Sequence, residues 1–108
     1  MKNPKTYIKM MNVSNILQRT EGGKRVILHL FPQSKPGFEC KKNFKMRPDD
    51  KTPSGAVFKL NDGTWLLQDK AGADTKAKNA IQLVMESEKI SFDDAVKWIY
   101  NRFCNEES

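Results

Sequence analysis

Residues 49–69 read DDKTPSGAVFKLNDGTWLLQD. A polar stretch punctuated by Pro53 runs into two short stretches rich in strand formers, residues 55–60 and 64–69. Asn61-Asp62-Gly63 separates them, and that composition tolerates the positive φ of a tight turn. The segment therefore predicts a loop followed by a β-hairpin, which commits the middle of the chain to antiparallel pairing.

Downstream, KAGADTK (70–76) is a connection, and either Asp74 or Thr75 caps a helix through KAKNAIQLVMESE (76–88). Ala77, Ala80, Ile81, Val84 and Met85 follow the three–four spacing of one buried face. Ser91 opens a second helix, SFDDAVKWIYNRF, and forms a capping-box-like pair with Asp94. Phe92, Ala95, Val96, Ile99 and Phe103 are its expected core face.

Upstream, FECKKNFKMR (38–47) reads as one or two strands, and RVILHLF (25–31) as a strand covered on both faces. EGGKR (21–25) is a turn, NVSNILQ (12–18) a short helix, and residues 1–11 a loose, Lys-containing arm. The expected architecture is one domain over residues 1–108, of α+β class: a small antiparallel sheet packed against a C-terminal helix pair.

Nineteen Lys and Arg oppose thirteen Asp and Glu among 108 residues, a net charge of +6. Such a balance bears on partners, with nucleic acid first and an anionic membrane surface second. No run of eighteen apolar residues exists, and the N-terminus lacks a secretory apolar core, so no membrane association and a cytoplasmic location are expected. Cys40 and Cys104 are the only cysteines and His29 the only histidine, with no ligand-pair spacing. The cysteines fit a reducing compartment; a Cys40–Cys104 disulfide is the alternative. No metal or other cofactor is expected. Asp49, Asp50, Asp93 and Asp94 are read as turn and helix-start residues rather than metal ligands. With no phosphate-binding loop and no nucleophile–base pair, an enzyme is not expected.

The order of signals resembles the N-terminal zinc-binding (zinc-ribbon, CHC-type) domain of DnaG-type bacterial and phage DNA primases. Asp50-Lys51-Thr52-Pro53-Ser54 matches that family's acidic loop and Val57–Gln68 its hairpin. KNAIQLVM (78–85) and ISFDDAVKWI (90–99) match its two helices. The similarity covers residues 44–103. The family's Cys-x-x-His falls at Lys45 and Pro48, and its Cys-x-x-Cys near Leu67 and Lys70, none of which binds zinc. The resemblance therefore implies a zinc-free ribbon in a DNA replication or mobile-element setting, with single-stranded DNA as partner. A replicative polymerase, primase or helicase is the further partner. The alternative function is an adaptor that docks on such a protein with only weak DNA contact.

The candidate nucleic-acid-binding residues are Lys24, Arg25, Lys41, Lys42, Phe44, Lys45, Arg47, Lys51 and Trp65. Lys41, Lys42, Lys45, Arg47 and Lys51 interleave with Phe44, and on a strand would form a basic stripe, unless they are a solvated edge. Lys24 and Arg25 follow the Gly-Gly turn, as phosphate contacts or as a solvated tip. Trp65 is either a stacking platform or, the favoured reading, a core residue packed on helices. Trp98 and His29 are read as packing residues.

Overall fold

A computed structural model describes residues 13–72 and 74–104; the expected arm over residues 1–11 lies outside them. The described chain contains helices α1 (Val13–Arg19), α2 (Lys24–Leu30) and α3 (Lys35–Cys40), with a 3₁₀ turn at Pro32–Ser34. Strands β1 (Gly55–Lys59) and β2 (Trp65–Asp69) follow, then α4 (Ala80–Glu88), α5 (Phe92–Ile99) and a π turn at Tyr100–Cys104. The domain is of α+β class, with a two-stranded antiparallel sheet.

The hairpin forms where the turn chemistry places it. Gly63 takes φ 93°, and the Asp62 carboxylate accepts the Thr64 N–H at 2.9 Å. Val57 faces Leu67, and Phe58 faces Leu66. Opposed residues share a sheet face, so Val57 and Leu67 point one way and Phe58 and Leu66 the other. The first face is the core face: Leu67 is 4% exposed, whereas Phe58 is 39% exposed.

Residues 25–31, expected as a strand, are helix α2 over Lys24–Leu30. Val26 and Ile27 are fully buried, Leu30 packs against the core and His29 is exposed, which is helical spacing. An apolar run this short fits either period, and packing against α4 decides it. Local signals for the helix are weak: its N-cap is Gly23 at φ 91°, with no side-chain cap.

The strands expected over residues 38–47 are also absent. Pro36 sits in the first turn of α3, where its missing N–H costs nothing, and Lys41 closes the helix at φ 56°. Only Phe44 pairs with the sheet, exchanging both backbone hydrogen bonds with Gly55 at 2.9 and 2.8 Å. Its ring fills a slot that glycine keeps open, since a Cβ on Gly55 would lie 2.5 Å from it.

Helix α4 starts later than expected. Asn79, not Asp74 or Thr75, is its cap: the Asn79 side chain accepts the Gln82 N–H, and the Gln82 side chain accepts the Asn79 N–H. Lys78 is instead held in backbone pairing with Leu67. Helix α5 begins as expected, with Ser91 accepting the Asp94 N–H at 3.2 Å. Phe92, expected on its core face, is 47% exposed.

Helices α4 and α5 pack on each other, α4 also meets α2, and α5 meets α1. Strand β1 is covered chiefly by α3 and the 3₁₀ turn. Leu67 joins the hairpin to the common core with Ile16, Ile27, Ile81, Val84 and Ile99.

Candidate nucleic-acid interface

Four elements bring two lysines and two aromatic rings together. Phe38 from α3 meets Trp65 at the start of β2, with ring centroids 4.7 Å apart and planes at 71°. Lys24, in the first turn of α2, places Nζ 5.6 Å from the Phe38 centroid. Lys59, opposite Trp65 across the hairpin, places Nζ 6.0 Å from the indole. The backbone holds the arrangement, because the Trp65 N–H donates to the Gly22 carbonyl at 2.8 Å in the turn that launches Lys24. Trp65 is half-buried, meets Phe38 of α3 and packs against the core. Such a quartet pairs aromatic surface for an unpaired base with ammonium groups for phosphate. Lys24 and Trp65 are expected site residues; Phe38 and Lys59 are not, since only the fold makes them neighbours.

The cations of residues 41–51 do not line a strand. Lys41, Lys42, Lys45 and Lys51 are exposed in irregular chain between α3 and β1. Lys41 and Lys42 directly follow the helix that carries Phe38. Phe44 is 5% exposed and anchors this segment, so its ring is withheld from stacking on a base.

Arg47 is a clamp. Its Nη1 donates to Asp69 Oδ2 at 3.0 Å, and its Nε to Asp50 Oδ1 at 3.2 Å, while its backbone N–H donates to Asp50 Oδ2. The Asp69 hydrogen bond leads in raising the Arg47 pKa above its ordinary value, with the Asp50 charge next. Burial pushes the Asp69 carboxyl up, but hydrogen bonds from Arg47, the Ala71 N–H and the Ser54 hydroxyl outweigh it and bring it down. The Arg47–Asp69 ion pair ties the loop before β1 to the end of β2. Among the described residues no three His, Cys, Asp or Glu side chains are grouped to hold a metal. Cys40 is exposed and Cys104 buried, and no disulfide joins them.

Arg25 lies apart from the Lys24 quartet, with its guanidinium 5.5 Å from the Phe103 centroid. His29, one turn further along α2, is 5.7 Å from Phe103 and 6.1 Å from Trp98, centroid to centroid. Trp98 is half-buried, as expected, and carries the Arg102 guanidinium 4.5 Å from its ring centroid. His29 packs on rings as expected, but at the surface rather than within a sheet.

No helix among the described residues is long and apolar enough to cross a membrane. Comparison of the chain with protein-family models, with curated proteins and with solved structures finds no match.

Proposed function

We propose that this chain is a non-catalytic single-stranded DNA-binding module of a replication or primase-type system, built on a zinc-free, ribbon-like hairpin. The observation that carries the reading is the Lys24–Phe38–Trp65–Lys59 quartet on a chain of net charge +6. Aromatic rings stack on any unpaired base, and ammonium groups neutralise the backbone beside it. Lys41, Lys42, Lys45 and Lys51 extend the positive field. The hairpin and the two helices that follow it keep the order of the primase module that the sequence resembles.

The test is a salt titration of single-stranded oligonucleotide binding by fluorescence anisotropy. Binding weakens steeply with salt, and each phosphate contact removed lowers the slope by roughly 0.7. Lys24→Ala/Lys59→Ala weakens binding and flattens the slope together. A double variant that binds like the parent at every salt concentration sinks the assignment of this surface.

A second reading, a protein-docking adaptor, is favoured by the outer hairpin face, where Phe58 is 39% and the adjacent Leu60 43% exposed. It predicts little oligonucleotide binding by the isolated chain.

A further inference from the structure

We propose that Trp98 and Arg102 form a second stacking platform, which takes an unpaired base and its phosphate at a distance in sequence from the Trp65 quartet. The inference rests on the single-stranded DNA reading above. Its basis is the ending of α5. In a regular helix Arg102 lies one turn above Trp98, but Phe103, five residues on, is rotated well away from it. The chain instead closes in a π turn over Tyr100–Cys104, whose i→i+5 geometry gathers residues five apart on one side. The Phe103 and Trp98 ring centroids are 6.3 Å apart, and both rings meet His29 of α2.

The result is a guanidinium whose central carbon lies 4.5 Å from the centroid of an indole, with Arg102 exposed and Trp98 half-buried. A guanidinium plane is itself a surface on which unpaired bases stack, and its N–H fork matches phosphate oxygens. Support from Trp98 orders the side chain in advance, so less rotamer freedom is lost on binding. The imidazole of His29 stands at the rim as a further hydrogen-bonding group. Consecutive residues of α2 reach the two platforms: Lys24 lies over Phe38 in the first, and Arg25 over Phe103 in the second.

The chain has two tryptophans, one in each platform, so intrinsic fluorescence separates them. Trp65→Phe leaves Trp98 as the only reporter, and Trp98→Phe leaves Trp65. Each is titrated with an oligothymidylate of roughly 16 nucleotides, the upper end of a single-strand site size. The expected result is saturable quenching of Trp98 in the first protein. Arg102→Ala should weaken binding about 5- to 150-fold, the range for loss of one stacked base, and lower the salt slope by roughly 0.7. Arg102→Lys keeps the charge without the plane; it should retain the slope yet still bind more weakly. If Arg102→Ala fails to fold by circular dichroism, the lysine variant decides. Quenching of Trp65 with an unresponsive Trp98, together with Arg102 variants that bind like the parent, overturns this platform alone. Absence of oligonucleotide binding by the parent protein overturns the DNA reading along with it.

Discussion

Arg47 shows how one side chain separates charge from function. It belongs to the most cation-rich stretch of the chain, yet its Nε and Nη1 are engaged by Asp50 and Asp69. Its replacement by Ala should therefore lower the melting temperature and leave the salt slope of oligonucleotide binding unchanged, unlike replacement of Lys24 and Lys59. The same clamp sets an acid limit. Among the described residues the folded state depresses three carboxyls: Asp62 through the Thr64 N–H, Asp69 through bonds that outweigh its burial, and Asp74 through Lys78. A depressed carboxyl contributes stability that is fully present above its unfolded value of about 4 and is lost as pH falls through the folded value. Thermal melts should accordingly be steady from neutral pH to about pH 5 and fall below about pH 4. Asp69→Asn should lower the neutral melting temperature and shrink that acid drop. An identical drop in the variant and the parent would remove Asp69 from the account.

At the scale of elements, the turn between α1 and α2 decides how the N-terminal helices meet the hairpin. The Gly22 N–H donates to the Leu17 carbonyl at 2.6 Å and closes α1, while the Gly22 carbonyl accepts from Trp65. Gly22 has φ 73°, and a Cβ there would stand 1.9 Å from the Gly63 carbonyl oxygen. Backbone cannot yield as a flexible side chain does. Gly63 has φ 93° but open space around a Cβ. Gly63→Ala should therefore cost the strain of a positive φ alone, about 1 kcal/mol or somewhat more. Gly22→Ala should cost clearly more, because the turn and the Trp65 contact must shift with it. Chemical denaturation of the two variants measures the difference; equal losses would mean that the Gly22–Gly63 approach is not a constraint.

For the whole molecule, the core is one cluster shared by the helices and one face of the hairpin. Ile99 is fully buried at its centre, on α5 where that helix meets α4 and α1. Ile99→Ala should cost about 2–5 kcal/mol, the range for a large aliphatic side chain removed from a packed site. A loss below about 0.5 kcal/mol in denaturant unfolding would contradict the burial. Domains of this size bury a modest share of their surface, so a loss at the upper end would leave little of the fold at room temperature. The positive charge is carried outside this core, on side chains that the helices and the segment 41–51 leave at the surface.

The sequence by itself determined the hairpin at residues 55–69 and the start of α5. There the signal is local chemistry: Asn-Asp-Gly demands a tight turn, and Ser91 caps the helix it precedes. It also made α4 legible from its apolar spacing, although the cap proved to be Asn79, because Lys78 is drawn into pairing with Leu67. Tertiary structure decided α2 and α3. RVILHLF has strand-forming residues and no side-chain cap, and it is helical because only that period buries Val26 and Ile27 together while leaving His29 outside. The candidate site divides in the same way. Lys24 and Trp65 could be picked from turn position and residue type, but Phe38 and Lys59 join them only when α2, α3 and the hairpin converge. Arg102 and Trp98 are one helical turn apart, but His29 joins Trp98 and Phe103 only when α2 packs beside the end of α5. Turn and cap energies act between residues a few positions apart and are written in order along the chain. Burial and ring contacts act between distant segments, and they exist only once the core has formed.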